Sequence, residues 1–152
     1  MKTYIACVLL AFSFLNAQAQ TNNPKYDKHL ADSLGANDMG MKNYMMVILK
    51  TGPANIAPGP VRDSIFKGHF SNMKTMADAG KLVIAGPIGQ NDKTYRGLYI
   101  FNVSTLDEAK ALAQSDPAVK AGIFDVEIFP WFGSAALPMY LYYTDKVAKN
   151  PM

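Results

Sequence analysis

This chain has few of the side chains that usually do chemistry. Its 152 residues include one cysteine, one tryptophan and two histidines. The cysteine, Cys7, sits inside an apolar run at the start, Tyr4 to Leu15. A disulfide framework, a thiol nucleophile and a thiolate zinc site are therefore excluded from the rest of the chain. The two histidines and the scattered acids have no metal-ligand spacing, so no metal is expected. No glycine-rich loop opens a helix to cradle a phosphate, no serine sits in a nucleophile-elbow setting, and Gly86-Pro87-Ile88-Gly89 is only a turn. No cofactor is expected. Charge of one sign is also missing: 15 Lys and Arg stand against 12 Asp and Glu, a formal net charge of +3, and the two signs are interspersed. That balance gives no footprint for nucleic acid or an anionic membrane. Finally, no apolar run approaches the roughly 20 residues that span a bilayer.

The one apolar run follows Lys2 and ends before Ala17-Gln18-Ala19, a small-x-small site. Residues 1–19 are thus expected to be a secretory signal peptide, removed near Ala19. A lipoprotein would need its cysteine at the cleavage point, and Cys7 lies too early. The expected product is exported, periplasmic or secreted, with no membrane segment and a core that must hold without disulfides. Residues 20–41 are polar and punctuated by Pro24, Gly35 and Gly40. They read as an extension with a short helix in "KHLADSLGAND" ending near Gly35, and His29 beside Lys28 reads as a surface residue.

From there the pattern becomes regular. "YMMVILKTG", Tyr44 to Gly52, is apolar on both faces and reads as a doubly buried strand. After the proline-stiffened "PANIAPGP", a helix is predicted over roughly Val61 to Ala79. Its apolar stripe is Ile65, Phe66, Phe70, Met73, Met76 and Ala77, and Gly80 is its stop. Strands are predicted at Leu82 to Ala85, halted by Gly86-Pro87, and at Gly97 to Val103, with "IGQNDKTYR" as the loop between them. "STLDEAKALAQS" is a second helix capped by Ser104 or Thr105, "DPAVKAG" one more helical turn, and "IFDVEIFPW" a fourth strand. The order is strand-helix-strand twice. It predicts an α+β, ferredoxin-like βαββαβ fold with an antiparallel four-stranded sheet and both helices on one face. A first strand that is apolar on both faces then needs cover on the far side, and a second copy of the sheet supplies it most simply, as a homodimer.

Two residues could carry chemistry. His69 lies within the apolar stripe of the first long helix, an odd place for one of only two histidines. Packing alone can explain such a residue. Asp116, before Pro117, is a good N-cap, yet capping uses only part of a carboxylate's acceptor capacity.

"GHFSNMKTMADAGKLVIAGP" followed by "SDPAVKAGIFDVEIFPW" resembles the YCII-related domain family. That family shows a helical His, a "G-[KR]-L…AGP" second strand, a Gly-led third strand and a "DP…AG" element. Here these are His69, Gly80-Lys81-Leu82, Ala85-Gly86-Pro87, Gly97, Asp116-Pro117 and Ala121-Gly122. The likeness covers residues 42–132 and leaves 133–152 as a tail; the extension and tail resemble a secreted subset. The resemblance implies a dimeric α/β barrel with a His-Asp pair at His69 and Asp116. Such a pair, without a nucleophile or metal, suits proton transfer on a small cyclic or aromatic carbon acid, as a lyase or isomerase would need. Tyr95 and Arg96 are candidates to orient that substrate and Gly86 and Pro87 to shape the pocket floor. The rival reading is a small-molecule-binding protein in which the pair only anchors a ligand or locks the helix; a related cofactor-independent or haem-handling monooxygenase ranks last, because no oxygen-activating group is present.

Overall fold

A computed structural model describes residues 23–149; the expected signal peptide lies outside the described residues. The polar extension contains helix α1, Lys28–Leu34, where Asp27 accepts from the Leu30 amide at 2.9 Å. Gly35 closes α1 at φ 69°, a left-handed conformation that glycine adopts without a Cβ penalty.

Four strands follow: β1 (Met41–Thr51), β2 (Leu82–Pro87), β3 (Tyr95–Phe101) and β4 (Phe124–Ser134). They form one sheet in the order β2-β3-β1-β4, every neighbouring pair antiparallel. Helix α2 (Pro60–Asp78) links β1 to β2, and α3 (Leu106–Ser115) with the short α4 (Pro117–Lys120) links β3 to β4. This is the expected ferredoxin-like βαββαβ arrangement. Proline at the start of α2 and α4 presets a helical φ where no amide donor is needed. Thr105 caps α3 by accepting from the Glu108 amide at 3.3 Å, while its hydroxyl donates to the Glu108 carboxylate at 2.7 Å. A 3-10 turn (Leu137–Tyr140) and helix α5 (Leu141–Val147) complete the described chain. Among the described residues no helix is long and apolar enough to cross a membrane.

Strand boundaries differ from the sequence reading, with β3 ending at Phe101 and β4 running on to Ser134, and three of the differences have a local reason. Strand β1 begins at Met41, three residues early, because Met41, Lys42 and Asn43 pair with Ser134, Gly133 and Phe132 of the longer β4. Strand β2 does not stop at Gly86-Pro87: Gly86 pairs with Leu98 and Pro87 with Gly97. Because β2 is an edge strand, the missing proline amide costs no ladder bond. Strand β3 begins at Tyr95 rather than Gly97. The Asn91 side chain accepts from the Tyr95 amide at 3.1 Å and donates to its carbonyl at 2.8 Å, so Tyr95 and Arg96 belong to the strand instead of the loop. A bulge between Leu49 and Lys50 leaves Arg96 outside the β1 register.

Alternation along the strands builds two apolar layers. Met45, Val47, Leu49, Tyr99 and Phe101 pack under the helices with Met76, Val103, Ala109, Ala113 and Val119. Tyr44, Val83 and Ile100 form the second layer on the far side of the sheet. The sequence reading assigns cover for that side to a second copy, and the chain itself supplies part of it, from Trp131 at the end of the domain and from the 133–152 tail. Trp131 lies against Tyr44 at 5.8 Å between ring centroids, and Leu137 packs beside them. The Tyr44 hydroxyl donates to the Ser134 carbonyl at 2.9 Å, and the Tyr140 hydroxyl donates to the Val83 carbonyl. Burial raises the pKa of both tyrosines above the ordinary value, in keeping with hydroxyls that donate.

Just beyond β1, backbone bonds hold the chain to the turn that precedes β4. The Gly52 amide donates to Ile123 at 2.8 Å and the Ala54 amide to Gly122 at 2.9 Å. A Cβ on Gly52 would land on the Gly122 carbonyl, and backbone cannot swing aside. Gly52→Ala is expected to lower unfolding stability by about 1–3 kcal/mol, the usual cost of overpacking. Urea denaturation of the variant checks this; an unchanged midpoint would contradict the close approach.

Candidate functional site

The site begins with a helix-to-helix contact that only a small residue permits. On α2, Gly68 faces Pro117 of α4, and a Cβ there would meet the Pro117 ring at 3.0 Å and 3.3 Å. The next residue, His69, is thereby brought against the junction of α3 and α4, where Asp116 is at once the C-cap of α3 and the N-cap of α4. The His69 Nδ1 lies 2.8 Å from Asp116 Oδ2 and 3.0 Å from Oδ1. Asp116 is fully buried and His69 nearly so, at 6% exposure.

Two further donors reach the same carboxylate. The Ala118 amide donates to Oδ1 at 2.8 Å, and the Tyr99 hydroxyl donates to Oδ2 at 3.1 Å. Burial, and then the neighbouring Asp116 charge, push the Tyr99 pKa far above the ordinary phenol value, so Tyr99 keeps its proton and acts as a donor. An ionised carboxylate only accepts, so the proton between His69 and Asp116 sits on Nδ1, and in the neutral ring the lone pair is then on Nε2.

Aromatic rings enclose the imidazole. Phe70 is 5.2 Å away between centroids, Phe124 5.5 Å, Phe66 5.9 Å and Tyr99 6.4 Å. Such walls lower the local dielectric and strengthen the pairing inside. Nε2 makes no hydrogen bond to the described residues. His69 keeps only a small exposed fraction within this apolar wall. Chemically this is an oriented imidazole with one nitrogen held by a carboxylate and the other unbonded to the described residues, a geometry suited to accepting or returning a proton.

The other sequence candidates have contacts of their own. Arg96 is exposed and its Nε donates to Thr51 Oγ1 at 2.6 Å; Tyr95 is half-buried with its backbone tied to Asn91. Gly86 and Pro87 sit on β2 opposite Leu98 and Gly97. No hydrogen bond or ring contact joins any of the four to His69. His29 is exposed on α1. Among the described residues no three His, Cys, Asp or Glu side chains group so as to hold a metal ion. Tyr99 escaped the sequence reading, although a signal was present. In "GLYIF" it shares the helix-facing side of β3 with Phe101, and a buried tyrosine needs a partner for its hydroxyl. Phe70, half-exposed, also lines a cleft of about 370 Å³ shared with Met73, Ala77, Ala85, Tyr140 and Leu141.

A family model described as the YCII-related domain matches residues 43–132. Among solved structures, the 5-chloro-2-hydroxyhydroquinone dehydrochlorinase of Burkholderia phenoliruptrix AC1100, in complex with 2,5-dihydroxybenzoquinone, is similar at 23% identity and a TM-score of 0.40, over 57% of this chain and 92% of that one. No curated protein matches.

Because its charge is buried among specific donors, Asp116 should be costly to remove. Asp116→Ala takes away the α4 cap and leaves the Tyr99 hydroxyl and His69 Nδ1–H unpaired. The expected loss is about 3 kcal/mol, read from chemical denaturation. A loss below about 1 kcal/mol would mean these donors find replacement partners readily.

Proposed function

This chain belongs to the YCII-related domain family, and from that premise we propose that it is an exported small-molecule enzyme in which His69 and Asp116 perform general acid–base chemistry. The observation that carries the reading is the asymmetry of His69: Nδ1 is committed to a buried carboxylate, while Nε2 makes no hydrogen bond to the described residues and is ringed by phenyl side chains. In the proposed step Nε2 takes a proton from a carbon acid, and Asp116 stabilises the imidazolium across Nδ1–H. In an isomerisation the proton returns to another carbon as the double bond moves. In an elimination the carbon–leaving-group bond breaks with its electron pair, and the proton passes from Nε2 to the leaving group or water. The phenyl walls favour a small cyclic or aromatic substrate, whose enolate or phenolate form spreads the charge. Arg96 and Tyr95 are the proposed orienting pair, with Gly86 and Pro87 shaping the floor.

A second reading has its own support. Neither this 370 Å³ cleft nor a wider one of about 600 Å³ beside Lys42, Lys81 and Asn102 includes His69 in its walls. A pair that locks α2 to the α3–α4 junction, in a protein that binds small molecules without turnover, would show the same bonds.

Proton exchange separates the two readings. The purified chain is incubated in D₂O with a panel of cyclic 1,3-dicarbonyls and dihydroxylated aromatics, and ring deuteration is followed by NMR. Catalysed exchange is expected, falling by about a hundredfold or more in His69→Gln, with the variant's circular dichroism unchanged. Binding of panel members without any exchange, equal in both proteins, would favour the binding module.

We further propose a homodimer, resting on apolar surface the tail does not cover: Met46, Ile48 and Leu98 are half-buried and Phe129 is 42% exposed. Sedimentation velocity at micromolar concentration should give twice the mass of one chain, and Phe129→Lys should halve it. A wild-type monomer would overturn the proposal.

A further inference from the structure

Asp116 is held by more than His69, and the extra partner comes from the sheet. The Tyr99 hydroxyl lies 3.1 Å from Asp116 Oδ2 and 3.5 Å from His69 Nδ1. Nδ1 carries a proton and has no lone pair to offer, so the hydroxyl proton goes to the carboxylate. The Ala118 amide holds the other oxygen, Oδ1. Both ends of the carboxylate are therefore fixed by groups other than the histidine, one from α4 and one from β3. Two points fix the orientation of the carboxylate plane, and the imidazole docks on a carboxylate that is already oriented. The Tyr99 ring also lies beside the imidazole at an interplanar angle of 27°.

We infer that Tyr99 is the positioning residue of the pair: its hydroxyl proton on Oδ2 sets the orientation and the acceptor strength of Asp116, and through Nδ1–H it sets where Nε2 points. The meaning of this for turnover rests on the acid–base reading above; the positioning itself does not. Two consequences distinguish the role from plain packing. Oδ2 divides its electron density between two donors, so weakening one strengthens the other. The hydroxyl also stays a donor throughout, since ionisation of a buried phenol beside a carboxylate is strongly opposed. The other rings about the imidazole are uncharged phenylalanines, and over one of them, Phe66, lies the Arg62 guanidinium at 5.2 Å, which donates to the Ile56 carbonyl at 2.8 Å.

The test uses the full chain labelled with ¹⁵N-histidine and needs no substrate. The two histidines are told apart with His29→Gln. In the wild type the His69 Nδ1 proton is expected as a slowly exchanging downfield resonance, with Nε2 unprotonated. In Tyr99→Phe that resonance should move further downfield, as Asp116 gives its freed density to His69. With 3,5-difluorotyrosine placed at position 99, a more acidic phenol and a stronger donor, it should move upfield. Opposite shifts for the two replacements are a signature that packing alone does not produce. If Tyr99→Phe fails to fold, the fluorinated chain, nearly unchanged in shape, carries the test. A resonance that stays in place, or moves the same way in both, overturns the inference. The acid–base reading fails separately, by proton exchange that persists in His69→Gln.

Discussion

The structure is organised around a carboxylate with no exposure to solvent. Ionised and unpaired, a group in that position would cost several kcal/mol. The chain meets the requirement with donors from three elements: an amide at the start of α4, a phenol from β3 and an imidazole from α2. Asp116 thus fixes more than its own helix cap. It couples the first long helix, the sheet and the α3–α4 junction at one point. The positions of Gly68 and Pro117 follow from the same demand, because α2 and α4 must approach closely for the imidazole to reach.

That coupling explains why the partner is a histidine. A cap, or a helix lock, needs only one donor, and serine or asparagine would supply it with less steric demand. Imidazole brings a second nitrogen on the far side of the ring, held in direction by the bond on the near side. Phe66, Phe70 and Phe124 surround the ring, and Nε2 makes no hydrogen bond to the described residues. In the proposed acid–base reading that second nitrogen is the one that takes and returns the proton, a role closed to a core histidine with both nitrogens bonded.

Much of this was legible in the sequence. The alternation of "IFDVEI" and the 3.6-residue stripe of α2 gave the sheet and helix faces, and the strand–helix order gave the topology. His69 stood out because its position broke the stripe, and Asp116 because Asp-Pro after a helix marks a cap. Boundaries were less legible where tertiary pairing overrode local signals. Gly86-Pro87 reads as a stop, but an edge strand tolerates proline, and Tyr95 was drawn into β3 by an asparagine side chain four residues back. Tyr99 was hidden for another reason. In a two-residue repeat every inward residue looks like core, and nothing local tells a packing tyrosine from one whose hydroxyl has a distant partner. Distances across three elements decide that, and a linear pattern does not carry them.

The far face of the sheet shows the same limit from the other side. A two-sided apolar strand demands cover, and pattern alone does not say from where. Trp131, Leu137 and Tyr140, beyond or at the edge of the family domain, supply it over Tyr44, Val83 and Ile100. They leave the stretch along Met46, Ile48 and Leu98, which runs toward Lys50 and its partners Glu127, at 2.8 Å, and Asp125, at 3.4 Å. The tail therefore determines which part of the sheet a second copy of the chain has left to meet. In the proposed dimer the contact is displaced from the Tyr44 end of β1 toward its charged end. The burial that β1 requires is then divided between the chain's own tail and its partner.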